Sequence, residues 1–244
     1  MNAGTGFDKS GFHLMQRARQ TSESIELAAL LALSGGLMDA YSYLGRGKVF
    51  ANAQTGNMLL LGVNIADGDW HQAAHYALPV LAFAFGIALA HTVKHVSHEH
   101  HLHWRQTSLL VEAALLAAVS FVPQDFDLLA NSLTSLACGM QVQAFRKLHG
   151  RGFATTMCIG NLRSGTHNLM DFIHTRESEH LESALLYYGT ILTFIIGAII
   201  GSRLLSAFGL HAIAASSILL TAAFCFMFWD REHRMEEEEA SLKA

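Results

Sequence analysis

The sequence predicts an all-α polytopic membrane protein, with six full spans plus two short re-entrant or broken helices arranged as two inverted repeats. The first observation behind this reading is where the charges sit. The chain of 244 residues holds 16 Lys and Arg and 20 Asp and Glu, yet only 22 of these fall in residues 25–229. That is about half the ~25% charged share of a soluble domain. The second is a series of apolar stretches of 15–23 residues in the same region, the length that crosses a bilayer. The third is that one threading of these stretches puts the basic residues on one side. Residues 1–24 then form a polar N-terminal tail, 25–229 the transmembrane domain and 230–244 a charged C-terminal tail.

Eight segments follow in order. Residues 25–44 read as a straightforward span. Residues 50–66 (FANAQTGNMLLLGVNIA) do not, because the continuous apolar part begins only at Met58. Residues 74–96 carry Pro79 near their start, and 107–122 are closed by Pro123. Residues 126–145 are less apolar than a lipid-facing helix. Residues 153–173 (FATTMCIGNLRSGTHNLMDFI) are polar enough to escape a hydropathy plot. Residues 183–205 and 207–229 are ordinary spans.

Two copies of four segments emerge, about 25–123 and 126–229. Thr55-Gly56-Asn57-Met58 corresponds to Ile159-Gly160-Asn161-Leu162, Gly36 to Gly139, and Phe83-Ala84-Phe85-Gly86 to Phe194-Ile195-Ile196-Gly197. Gly-Arg-Gly occurs at 45–47 and again at 150–152. Cytoplasmic loops are enriched in Lys and Arg. If all eight segments cross with the N-terminus inside, seven basic residues lie inside and eight outside, which is no bias. If the second and sixth dip in and return, the division becomes twelve against three, leaving Arg46, Lys48 and Arg203 outside. A seven-span threading gives eleven against four but puts the basic N-terminal tail outside. Three crossings per copy make the copies face opposite ways, a plan that recurs in secondary transporters and pores.

The segment Ser34-Gly35-Gly36-Leu37-Met38-Asp39-Ala40, followed by Phe50-Ala51-Asn52-Ala53-Gln54-Thr55-Gly56-Asn57-Met58, resembles the YoaK family of bacterial integral membrane proteins. That pattern is G-x-x-D in the first helix, then F-x-x-x-x-T-G-N before an apolar half-helix. Cys138-Gly139-Met140-Gln141 and Ile159-Gly160-Asn161-Leu162-Arg163 resemble it in the second copy. The resemblance covers about 25–229 and implies a multi-pass protein of the inner membrane. The family is of unknown function, so the resemblance implies no chemistry.

The candidate site is built on Thr55, Gly56 and Asn57 and on Gly160 and Asn161. Gly permits tight turns and Asn is a preferred N-cap. A half-helix opening at Asn57 would place free N–H donors and a positive dipole end inside the membrane, with Asn161 approaching from the other leaflet. Interhelical turn-making is the plainer role for the same residues. Asp39 and Arg163 are ionisable groups within spans, which cost several kcal/mol, about 2.5–3.5 on an insertion scale, unless paired or wet. Each copy lacks the other's charge, which suggests one ion pair across the repeat interface. Arg163, His167 and Asp171 lie at i, i+4 and i+8 on one face, which should meet protein or water, with Gln141 and Gln143 completing the lining. Glu112 is a further isolated acid, read as bonded to a neighbouring Ser or Thr or as lying near the interface.

Three cysteines, Cys138, Cys158 and Cys225, include no C-x-x-C and suggest neither disulfide nor zinc. The histidines at 91, 95, 98, 100, 101 and 103 are read as a solvated loop ahead of a metal site, so no metal or cofactor is expected. The net charge of −4 offers no basic surface for nucleic acid. Residues 1–24 lack the apolar core of a signal peptide, so the segment at Ile25 would serve as the membrane signal. The function read from these residues is a transporter or channel for a small polar or anionic solute. Its partners are the bilayer and that solute, with a homo-oligomer open. The alternatives are a non-transporting scaffold or sensor with a His-rich loop, and an intramembrane enzyme. The enzyme ranks last because no G-x-S-x-G or H-E-x-x-H is present.

Overall fold

The computed structural model describes residues 25–96, 104–148, 151–152, 155–156 and 158–243. The expected N-terminal tail and most of the His-rich loop lie outside the described residues. Helices dominate: α1 (Ile25–Gly45), α2 (Gln54–Ala66), α3 (Trp70–Val96), α4 (Trp104–Val119), α5 (Asp127–Ala144), α6 (Cys158–Thr175), α7 (Ser178–Phe208) and α8 (Ala214–Lys243). Short 3₁₀ turns precede α5 and α8. After α5, β1 (Lys147–Leu148) pairs antiparallel with β2 (Arg151–Gly152). Pro79 sits inside α3 rather than at its start, since the helix begins earlier, at Trp70. Of the charged 230–244 segment, residues 230–243 continue α8 as helix.

Among the described residues three helical stretches are long and apolar enough to cross a membrane: Ile25–Gly45, Trp70–His95 and the run Ser178–Phe228, which holds α7 and the first half of α8. Leu81 and Phe85 of α3, Leu192 and Ile199 of α7 and Ile218 of α8 are exposed. An exterior this apolar suits lipid better than water.

α1 is the central helix, with twelve of its residues buried. It lies mainly against α7 and also touches α8, while α3 lies against α5 and α4 against α8 and α5. Leu27, Leu31, Leu109, Leu116 and Leu220 share the core. Two crossings bring backbones together. A Cβ on Gly36 would run into the Phe194 carbonyl and the Ala198 nitrogen of α7, and one on Gly197 would run into the Leu33 carbonyl. A Cβ on Gly139 of α5 would meet the Phe83 carbonyl and the Ile87 nitrogen of α3, and one on Gly86 would meet the Leu136 carbonyl. Small residues at such crossings let helices gain dispersion and close contact, which drives association where lipid offers no hydrophobic term.

The short helices occupy the periphery. α2 rests on α3 and α6 on α7, and both leave apolar residues outward, Met58, Leu59 and Val63 on one and Ile159, Leu162 and Met170 on the other.

Candidate functional site

After α1 the chain reverses and runs back down that helix. Phe50 stacks on Tyr43 with ring centroids 4.7 Å apart. Further on, the Asn52 N–H donates to Asp39 Oδ1 at 2.7 Å and Asn52 Nδ2 donates to the Gly35 carbonyl at 3.2 Å. From Gly45 to Gly35 is about 15 Å of helix, so the reversal reaches the middle of α1. There α2 begins and climbs back over its 13 residues, about 20 Å. Asn57 ties the descent to the ascent. Its Nδ2 donates to the Phe50 carbonyl at 2.7 Å and to Gln54 Oε1 at 2.8 Å, and its Oδ1 accepts the Phe50 N–H at 3.0 Å.

Asn57 is therefore not the N-cap the sequence suggested. α2 opens three residues earlier, at Gln54, with Ala53 in the cap position and no side-chain cap bond. The Asn57 amide is committed to the Phe50 N–H and C=O, which have no helix or sheet ladder to satisfy them. Gly56 makes room for the Phe50 ring, which a Cβ would meet at 2.7 Å. Thr55 points outward and is exposed.

The second reversal arrives at the same place. Thr156 packs its methyl against Gly35 of α1. Gln141, near the end of α5, donates through Nε2 to the Leu31 carbonyl at 3.2 Å and to Thr155 Oγ1 at 3.3 Å. α6 then starts at Cys158, and its fourth residue, Asn161, is buried as Asn57 is in the fourth position of α2. Gly160 differs from Gly56 in facing open space.

Around Gly35 several buried polar atoms have no hydrogen-bond partner among the described residues: Ser34 Oγ, Gln141 Oε1 and Thr156 Oγ1. Buried polar groups are normally satisfied, so this concentration within about a turn of one glycine marks a place where polar atoms could meet a guest. Cys138 lies here too, its Sγ 3.7 Å from Met38 Sδ and its thiol against the Asn52 side chain.

The expected Asp39–Arg163 pair does not form. Asp39 is buried and faces the backbone N–H groups of Ala51, Asn52 and Ala53 at the opening of α2, where the helix dipole favours an anion. Arg163 is exposed on α6 and lines an open groove of about 440 Å³ with Ile159, Leu162, Thr166, His167 and Met170. His167 Nε2 is 3.4 Å from Asp171 Oδ2, and its side chain is 75% exposed. The face shared by Arg163 and His167 is thus the outer face of α6, because α6 spends its inner face on α7. Gln143 also misses the junction and contacts His91 instead, at 3.4 Å. His91 and His95 stack edge to face. His98, His100, His101 and His103 lie outside the described residues. Among the described residues no group of three or more His, Cys, Asp and Glu could hold a metal ion.

Two residues carry more than their sequence context conveyed. Arg46, counted above with the loop charges, is fully buried. Its guanidinium donates to Tyr41 Oη at 2.8 Å, Asp127 Oδ1 at 2.9 Å and the carbonyls of Val119, Val122 and Pro123. Glu112 is 0% exposed, and neither carboxyl oxygen has a partner among the described residues. The expected bond to a serine or threonine is not formed among the described residues. No local sequence signal pointed to the burial of Arg46 or of Glu112.

A family model described as a protein of unknown function, DUF1275, matches residues 27–226. The UPF0700 transmembrane protein YoaK of Bacillus subtilis (strain 168) is 28% identical over 186 residues, which is 71% of this chain and 80% of the relative. No solved structure matches. With the apolar helices, these similarities make the chain a membrane protein.

Proposed function

The chain belongs to the DUF1275 family, and on that footing we propose that it is a multi-pass inner-membrane transporter or channel for a small polar or anionic solute. One observation carries the reading. Two chain reversals, one from each half of the sequence, end against the same residue, Gly35, at the middle of a central helix. Irregular backbone at bilayer depth is tolerated only where protein buries it or water reaches it, and this junction holds unpartnered polar atoms. In the proposed arrangement α1, α3, α4, α5, α7 and α8 cross, while α2 and α6 re-enter from opposite faces.

The inverted repeat is part of the same proposal. The crossing of Gly36 with Gly197 uses the carbonyls of Leu33 and Phe194, and that of Gly139 with Gly86 uses those of Leu136 and Phe83. Leu33 and Leu136 are separated by the same 103 positions as Gly36 and Gly139, and Phe83 and Phe194 by the same 111 as Gly86 and Gly197. Two crossings built from corresponding residues support a duplicated plan. The positive ends of α2 and α6 then approach each other at the junction, and one of them already holds the Asp39 carboxylate. At the corresponding place in the second copy stands Val142, so a solute anion has no resident competitor there. The open groove beside Arg163 and His167 would serve as an approach for such an anion.

Thiol labelling tests the passage. In a variant whose Cys138, Cys158 and Cys225 are replaced by Ser, Asn52→Cys and Thr156→Cys are treated in proteoliposomes with a charged, membrane-impermeant methanethiosulfonate. Labelling of either position is the expected result, since a solute path must admit water at the tips. Inertness of both, in folded protein, contradicts it.

A further inference from the structure

Glu112 lies at the depth of the junction. Ser216 of α8 donates to the Ser34 carbonyl of α1 at 3.4 Å, while its neighbour Ser217 donates to the Ala113 carbonyl of α4 at 2.7 Å. The two serines are adjacent on one helix, so Ala113 and Ser34 share a level, and Glu112 is one residue from the first. A second route gives the same placement. Cys138 lies within electrostatic reach of both Asp39 and Glu112, and touches Asn52. Asn52 in turn gives its N–H to Asp39. Contacts thus join Asp39, Asn52 and Cys138, and Glu112 lies within electrostatic reach of that thiol.

The two acids are held differently. Asp39 faces three backbone N–H groups, the donors that an ionised carboxylate requires. Glu112 has none, and both its oxygens are without a partner. The titratable groups near it among the described residues are Cys138 on α5 and, beyond that thiol, Asp39 on α1. Among the described residues no basic group on α3, α5 or α8 offsets its charge. An unpaired carboxylate in a dry interior costs far more than the neutral acid. The neutral acid in turn makes no bond that would explain its presence as a structural element. Ionisable residues at such depth serve ion or proton pathways.

We propose that Glu112 is a proton-binding site: it carries one proton in this closed arrangement and releases it toward Asp39 through water that enters the junction. On release the Glu112 O–H bond breaks and leaves a carboxylate, and the Asp39 carboxylate takes the proton to become the acid, so charge is conserved within the pair. The proton site stands on the burial and contacts of Glu112, and only its coupling to a solute rests on the passage proposed above. That passage is read by thiol labelling, so the two fail separately.

Infrared spectroscopy of the full chain in liposomes at neutral pH tests the site. Subtracting the spectrum of Glu112→Gln from that of the wild type should leave one protonated-carboxyl C=O band, which shifts in heavy water because its proton exchanges. Absence of the band, or a band that never shifts, overturns the proposal. Should Glu112→Gln fail to fold, the wild type alone suffices. Dicyclohexylcarbodiimide reacts with protonated membrane carboxyls, and peptide mapping should find the N-acylurea on Glu112. Adducts confined to other acids overturn the proposal equally.

Discussion

At Arg46 the chain answers a local requirement that hydropathy does not register. The last carbonyls of a helix have no intrahelical donors, and α4 ends in the interior of the molecule at Val119. The Arg46 fork supplies donors to Val119, Val122 and Pro123 and to the Asp127 carboxylate together. Breaking a buried pair of this kind costs about 3–5 kcal/mol, because the partner is left uncompensated. Arg46→Ala should therefore lower the melting temperature in detergent sharply. Arg46→Lys should recover only part of the loss, since an ammonium cannot reproduce the planar fork. A melting temperature unchanged in Arg46→Ala contradicts this account. The sequence shows why Arg46 is easily taken for a loop charge: it sits between two glycines, and its partners lie about 80 positions away. Asp39 is the reverse case. Its position within a span identifies it, but its partners are backbone N–H groups, which leave no side-chain signature, so a distant arginine is the natural misassignment.

Among the elements, the crossings of α1 with α7 and α5 with α3 are the parts most exposed to substitution. The obstacle to a larger residue at Gly36 or Gly139 is a backbone carbonyl, which cannot rotate away as a side chain can. Gly36→Val and Gly139→Val should each destabilise the protein by about 1–3 kcal/mol, the usual cost of overpacking, and to a similar extent. Gly189→Val on α7 is the control, because nothing lies within 4 Å of its would-be Cβ. Thermal melts of the three variants check this, and equal tolerance at all three positions contradicts the close crossings. Element positions were legible to within a few residues in part of the chain, residues 126–145 becoming Asp127–Ala144, whereas 183–205 grew to Ser178–Phe208 and 207–229 became a helix from Ala214 to Lys243. The start of α2 was not legible, because Gly-Asn in sequence looks like a cap. In the fold, the asparagine is needed one turn later to hold the descending strand.

For the molecule as a whole, the sequence conveyed a helical membrane protein and the positions of its glycine and asparagine motifs, all of which depend on composition and local pattern. It did not convey that α2 and α6 lie outside the bundle with only their tips at the centre. Which face of a short helix turns inward depends on the neighbour it packs against. Nor did it convey the meeting at Gly35, a contact between segments more than 100 positions apart. The account stands on the two reversals entering from opposite faces, and side-specific labelling reads this most directly. In the cysteine-free background, Lys48→Cys and Lys147→Cys are exposed to an impermeant maleimide in sealed vesicles of known orientation. The account predicts that one is labelled from outside and the other only after the vesicles are opened. Labelling of both from the same side contradicts it.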